Sequence, residues 1–544
     1  MEKNWLKNLR YSKIELGILY VLWLALFGYI AYIGWVSEDA YITFRVVENF
    51  FDGHGLRWNT YERVQAYTHP LWMLLHIPIY ALWQNLFLGT VGLSVVCASF
   101  AVLLVILAAQ KSVLHTVVFF FLPFLAAKSV IDYTSSGLEN PLSYLLFAAF
   151  IYVLLRKYDH RFFWFFCSLI VGLSLFNRLD AILIYAPTLA YLYYIKKPVR
   201  YTQIVIGALP LLAWLSFSLL YYGFVFPNTK YAKLSTGMEL WQYIAQGLHY
   251  GKYLLLWDSA GAVLLISCII FLLPARFYRF LHLPAHLPRL PIFLALGMLV
   301  NSLYVIYVGG DYMAGRFWAL PVFAAICLWF ILIPEKIRYD LVFAALCLLC
   351  ITYFIPQTIH EIRRHCKSCI NLKGRVIDAR FVFITNRVVI TLHPFKIRRE
   401  GHYPFVEGGK KLKDENPEVK KLFYIGMTPY YAGNKIKIID ELGLADPLLA
   451  RLPVSDLQNF YIGHFRRSLP TGYQYAIKSG DLSKMNTDLA KYYDKLRFIV
   501  SGNVWDTERL KTIALFNIGY YDHWKESYLL SLKKNDAPIT PKKP

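Results

Sequence analysis

The 544-residue chain predicts a mainly α fold. A polytopic bundle of about eleven transmembrane helices occupies residues 1–356, and a soluble α/β domain follows over 357–544. Three observations carry this reading. Hydrophobic residues make up 57% of the chain and charged residues 17%, against about 45–50% and about 25% in soluble domains. The apolar residues come in continuous runs of about 17–22, the length a helix needs to cross the hydrocarbon core. The composition then shifts, and residues 357–544 hold 32 Lys/Arg and 19 Asp/Glu. The pattern excludes a soluble enzyme, a disordered chain and a collagen. Runs that do not alternate argue against an outer-membrane barrel.

Residues 1–14 carry Lys3, Lys7, Arg10 and Lys13 before the first apolar run. That run lacks a small-residue cleavage site, so it reads as a retained helix. The expected spans are 15–36, 88–110, 113–131, 140–156, 162–176, 181–195, 202–222, 253–273, 290–308, 317–334 and 339–356. The first outer loop is 37–87. Its stretch 70–87 is apolar but holds Pro70, His76, Pro78 and Trp83, and reads as a helix lying in the interface. With the N-terminus inside, sixteen basic residues fall on inner segments and nine on outer ones before 357. That asymmetry supports the orientation and places the tail outside.

The tail alternates strand-like runs (Arg380–Thr391, Phe423–Tyr424, Ile436–Ile439) with helical ones such as Met485–Leu496. Six cysteines lie in apolar runs. Cys366 and Cys369 stand in a polar stretch, where their spacing permits a disulfide or half a metal site. No second pair follows at zinc spacing, so no metal is expected. The net charge of +22 suits anionic headgroups or phosphates. No nucleic-acid motif accompanies it.

Every outward-running helix ends in a polar cluster. These are Ser37-Glu38-Asp39, Ser136-Gly-Leu-Glu139-Asn140, Asn177-Arg178-Leu-Asp180, Pro227-Asn228-Thr-Lys230-Tyr231 and Gly309-Gly-Asp311-Tyr-Met-Ala-Gly-Arg316. Inner loops carry plain Lys/Arg caps. One polar site at one end of a bundle accounts for this, since ionisable residues at membrane depth are costly. Lys128, Arg178, Lys230 and Arg316 are cations on the side that should be poor in them. An anionic ligand such as a phosphate explains them, and so does pairing with Asp132, Asp180 or Asp311. His54, His69 and His464 read as structural or as binding residues.

Asp39-Ala-Tyr-Ile-Thr-Phe-Arg45, Asp52-Gly-His-Gly-Leu-Arg-Trp-Asn59, Glu62-Arg63-Val64 and Tyr67-Thr-His-Pro-Leu-Trp72 follow in order. Together they resemble the first outer loop of the GT-C glycosyltransferases, and within them the mycobacterial terminal β-(1→2)-arabinofuranosyltransferase family. The resemblance continues through Gly137-Leu-Glu139, Pro227-Asn-Thr229 and Gly309-Gly-Asp311. In the tail it takes in Gly426-Met-Thr-Pro-Tyr-Tyr-Ala-Gly433, Asp440-Glu-Leu-Gly-Leu-Ala-Asp-Pro-Leu-Leu-Ala-Arg451 and Gly463-His-Phe-Arg466. The chain departs from the family at Glu38-Asp39, where a pair of aspartates is expected, and at Gln65-Ala66.

The resemblance implies a GT-C membrane enzyme with a polyprenyl-phosphate sugar donor, presented from within the bilayer. It implies transfer of a pentofuranose, arabinofuranose above all, to a cell-envelope glycan or glycoprotein outside the bacterial inner membrane. Arabinan, lipopolysaccharide, capsule and pilin all qualify as acceptor. Asp39 would be the catalytic base with Glu38 assisting. Lys230, Arg178, Arg316 and Lys128 would hold the phosphate. Asp311, Glu139, Asn228, Asp180, His54, His69, Tyr430, Tyr431, His464 and Arg466 would bind sugar or acceptor. No cofactor is implied, and the chain has neither GxGxxG nor a P-loop. A transporter or flippase of a lipid-linked sugar is the rival reading. It leaves the one-sided polar clusters unexplained, because a transporter needs access from both faces.

Overall fold

Apolar runs become helices along most of the chain. The structure, a computed structural model, describes residues 11–234, 236–274, 281, 286–335, 376–380, 404–455 and 461–535. Ten of the eleven expected spans fall on helical residues. The agreement is closest at Asn140–Arg156, Phe163–Asn177, Tyr201–Tyr222 and Leu290–Tyr307. The expected span 339–356, the pair Cys366 and Cys369, and the strand over Arg380–Thr391 beyond Arg380 itself lie outside the described residues. Four helices are long and apolar enough to cross a membrane alone: Lys13–Tyr32, Leu86–Ala109, Tyr201–Tyr222 and Leu290–Tyr307. Shorter apolar helices include Pro70–Trp83, Asn140–Arg156, Phe163–Asn177 and Arg316–Leu332. The chain is a multi-pass membrane protein.

Two expected spans are interrupted, each for a local reason. In 113–131 the helix passes through a π turn, Val117–Phe121, and stops at Ala126. Pro123 offers no N–H to the ladder, and the Leu122 N–H reaches back to the Val117 carbonyl. A new helix, Lys128–Asp132, then begins. In place of 253–273 stand two helices, Leu240–Trp257 and Ser259–Leu272, bent by 113°. Buried Asp258 makes the corner. Its carboxylate accepts from the N–H groups of Gly261 (3.0 Å), Lys128 (3.0 Å) and Ser129 (2.8 Å), so it caps two helix starts at once.

The chain divides into two compact units. One comprises Met1–Ala40, His69–Leu212 and Met238–Tyr403 and holds most of the apolar helices. There, Leu86–Ala109 packs on Asn140–Arg156, and the helix from Ile182 to Ile195 packs on Leu290–Tyr307. The other comprises Tyr41–Thr68, Ala213–Gly237 and Pro404–Pro544. The tail thus shares its fold with two upstream stretches, which a single cut after residue 356 does not capture. This second unit has a two-stranded parallel sheet, Val419–Leu422 with Lys437–Asp440. Around it lie Pro404–Glu415, Thr487–Ser501, Thr507–Asn517 and Asp522–Asn535. Its core joins Val64 and Phe224 to Leu448, Tyr473, Tyr492 and Ile499.

Candidate functional site

In the first unit the polar clusters converge. Ser37 donates its N–H to the Ser136 carbonyl (2.8 Å), and Trp72 donates its indole N–H to the Gly137 carbonyl (3.0 Å). These bonds draw the turn at Ser37-Glu38-Asp39 against the loop that ends in Glu139. Gly137 has a φ of +80°, and a Cβ there would stand 2.9 Å from Ala40 and Val36. The loop 309–316 is pinned by its own backbone. Ala314 donates to the Ile377 carbonyl (2.9 Å), and Ile377 donates to the Tyr312 carbonyl (2.8 Å). Tyr133 and Tyr250 donate their hydroxyls to the Ala314 and Met313 carbonyls, at 2.8 and 3.0 Å.

On this frame Asp39 takes one hydrogen bond from the Tyr312 hydroxyl and one from the Arg316 guanidinium, both at 3.0 Å. Its side chain is 16% exposed, so it stays reachable. Arg316 also faces Asp311 at 3.4 Å and Glu139 at 3.7 Å. Arg178 grips Asp180 through both carboxylate oxygens (2.9 and 2.7 Å) and reaches Glu139 at 2.6 Å. His69 lies 3.1 Å from the other Glu139 oxygen. Burial alone would disfavour the Glu139 charge. Arg316, His69 and Arg178 around it reverse that and hold its carboxyl well below the usual carboxylate range. Four carboxylates thus share two guanidinium groups. Glu38 is buried in the same turn.

An open cleft of about 400 Å³ adjoins this network, lined by Asn140, Arg178, Asp180, Asn301, Arg316 and Phe317. The Arg178 guanidinium stacks on Phe317 at 4.8 Å. The Asn140 side-chain oxygen is buried without a hydrogen-bond partner. Along the same helix, Leu290–Tyr307, lies an apolar pocket of about 690 Å³, lined by residues such as Leu254, Leu265, Ile269, Met298, Leu299 and Trp318. Lys128 belongs to a separate ion-pair set. It meets Asp132 at 2.5 Å and Asp378 at 3.1 Å, and Arg380 pairs with the same Asp132. Pairing with a local carboxylate holds for three of the four basic residues: Lys128 with Asp132, Arg178 with Asp180 and Arg316 with Asp311. Tyr312 and Asn140 stand inside the polar motifs, where nothing in the sequence sets them apart from their neighbours. Among the described residues no group of three or more His, Cys, Asp or Glu side chains could hold a metal ion.

The remaining residues singled out from sequence belong to the second unit. Asn228 is buried, donates to the carbonyls of Gly443 (2.9 Å) and Asp446 (3.0 Å), and accepts from Arg451 (3.3 Å). Its side chain is therefore used inside the fold. Asn59 and Arg63 behave likewise, donating to Ile438 (2.9 Å) and Tyr221 (2.9 Å) carbonyls. Tyr430 donates to Glu48 at 2.5 Å and packs edge-on against Tyr41 and Tyr431. Arg466 pairs with Glu441 at 2.8 Å, His464 is half-buried, and His54 is exposed. Lys230 is exposed and lies 3.3 Å over the Phe226 ring. Deeper in, burial and the nearby Asp446 push the Glu62 carboxyl up to about 8. Asp446 itself rises to about 7, again through burial.

Comparison with known proteins adds a second line of observation. No family model matches the chain. It is 26% identical over 328 residues to a terminal β-(1→2)-arabinofuranosyltransferase of Mycobacterium tuberculosis, covering 53% of this chain and 51% of that one. It is 27% identical over 339 residues to the protein of that name from Corynebacterium glutamicum, covering 53% and 47%. The chain thus spans about half the length of the curated relatives it matches. Among solved structures it is similar to ArnT from Cupriavidus metallidurans bound to undecaprenyl phosphate. That likeness has a TM-score of 0.48 and 11% identity, over 80% of this chain and 89% of the other.

Proposed function

We propose that the protein is a GT-C membrane glycosyltransferase. It moves a pentofuranose, arabinofuranose on the sequence likeness, from polyprenyl phosphate to a glycan on the outer side of the bacterial inner membrane. The observation that carries this reading is Asp39, reachable and held between Tyr312 and Arg316 in the first unit.

The chemistry follows from that placement. The acceptor hydroxyl loses its proton to the Asp39 carboxylate as its oxygen bonds to the anomeric carbon. The bond from that carbon to the phosphate oxygen breaks, and polyprenyl phosphate departs with the electron pair. Charge grows on phosphate, and the cations lining the cleft, Arg178 and Arg316, are the groups that would meet it. The apolar pocket along Leu290–Tyr307 suits a prenyl tail, and that helix also contributes Asn301 to the cleft. Glu139 and Asp311 set the guanidinium groups.

The test is transfer by purified protein in detergent, from synthetic polyprenyl-phosphoryl arabinofuranose to an arabinan oligosaccharide. A lengthened glycan is expected. Detergent leaves no compartments, so a pure transporter yields none.

A further inference from the structure

One feature of the second unit has no part in the transfer chemistry. The helix Tyr201–Tyr222 is apolar and long enough to cross the membrane. Its last carbonyls lack partners within the helix, as those of any helix end do. Here a tail helix, Thr507–Asn517, supplies the donors. Arg509, fully buried, donates to the carbonyls of Leu220 (2.8 Å) and Tyr221 (3.0 Å), and also to those of Val504 (3.0 Å) and Ile499 (2.7 Å). At the other end of the same helix, Asn517 donates to the Gly223 carbonyl (2.9 Å). Arg509 and Asn517 stand about 12 Å apart along their helix, yet their partners span only Leu220 to Gly223. The tail helix therefore lies across the end of the apolar one.

Two turns flank this crossing helix, and both present large side chains outward. Trp505 is 73% exposed, Ile518 77% and Tyr520 61%. Trp505 is one residue from Val504, whose carbonyl shares the Arg509 guanidinium with the apolar helix end. On the last two turns of the apolar helix itself, Phe217 and Leu220 are exposed as well. Tryptophan and tyrosine concentrate where hydrocarbon meets water, because an apolar ring and a polar N–H or O–H are both accommodated there. Trp505 at one end of the crossing helix, and Ile518 and Tyr520 at the other, are the kind of side chain that this boundary accommodates.

We infer that the two turns around Thr507–Asn517 rest in the headgroup region of the bilayer, with Trp505, Ile518 and Tyr520 as anchors. The occupant of this surface is lipid. Continuity with the end of an apolar helix argues for lipid over a glycan, since a sugar platform needs polar partners beside the ring, and Ile518 offers none.

The experiment places benzoylphenylalanine at Trp505, Ile518 or Tyr520 of the full chain, one at a time. The protein sits in nanodiscs of phosphatidylethanolamine and phosphatidylglycerol. Ser483, exposed before the helix Thr487–Ser501, whose 15 residues run about 22 Å, serves as reference. All four side chains are exposed, so thermal unfolding should match the wild type. On illumination, lipid adducts are expected at the three positions and not at Ser483. Lipid adducts no more frequent than at Ser483 overturn the inference, and so do adducts confined to a second copy of the chain.

Discussion

Replacing Arg178 with alanine separates a ligand-binding guanidinium from a merely structural one. In the structure Arg178 makes three charge-assisted bonds, two to Asp180 and one to Glu139. Its loss leaves Glu139 with His69 at 3.1 Å and Arg316 at 3.7 Å, so the buried carboxylate keeps two partners. Stability should fall by about 1–3 kcal/mol, the cost of one underserved polar group. A guanidinium bond to phosphate is worth about 1.5–3 kcal/mol, and about 1.4 kcal/mol is tenfold. Donor affinity should therefore drop about ten- to a hundredfold. The assay pairs two measurements on Arg178→Ala in nanodiscs: binding of a non-transferable polyprenyl-phosphoryl sugar, and thermal unfolding. A variant that melts earlier yet binds the analogue as the wild type does would show that Arg178 only neutralises carboxylates, and the phosphate argument would fail with it.

Other outcomes follow from the same geometry. A cysteine at exposed Lys435 should react with a membrane-impermeant maleimide on intact spheroplasts; labelling only after lysis would reverse the orientation. Burial holds the Glu62 and Asp446 carboxyls, taken as a pair, above the usual carboxylate range in which they ionise in the unfolded chain. Unfolding then releases protons, so stability should fall as pH rises from about 4.5 and level off above about 8. Glu62→Gln should flatten that slope in a thermal-unfolding series, and an unaltered slope would refute the assignment. Asn228→Ala removes two donated bonds and one accepted bond within the second unit. It should lower stability by about 1–3 kcal/mol while leaving donor-analogue affinity unchanged.

Much of the bundle is readable because lipid imposes a simple rule on sequence. A helix facing hydrocarbon must be apolar along its whole length, and Asn140–Arg156 and Tyr201–Tyr222 obey it. Leu240–Trp257 breaks the rule with Gln242, Gln246, His249 and Lys252, so its helix is hidden from a search for apolar runs. The corner at Asp258 is hidden too, since its second capped helix begins at Lys128, far away in sequence. The candidate site shows the same limit. Each polar cluster stands out alone, and Arg178 with Asp180 are near neighbours. The pairing of Asp39 with Arg316 joins residues 277 apart and needs the fold. Asn59, Arg63 and Asn228 show why a motif alone does not assign a role. A buried polar side chain that satisfies backbone carbonyls has the same look in a motif as one that meets a substrate.

The central claim is that Asp39 takes the acceptor proton, and Asp39→Asn tests it most directly. The substitution keeps the shape; the amide oxygen can still accept from Arg316, while its NH2 donates to the Tyr312 hydroxyl, which can turn to accept, so folding should persist. The measurement is arabinosyl transfer by the purified variant, alongside donor-analogue binding by the same preparation. Lost transfer with binding retained is the predicted result. Transfer at close to the wild-type rate would contradict it and remove Asp39 from the mechanism.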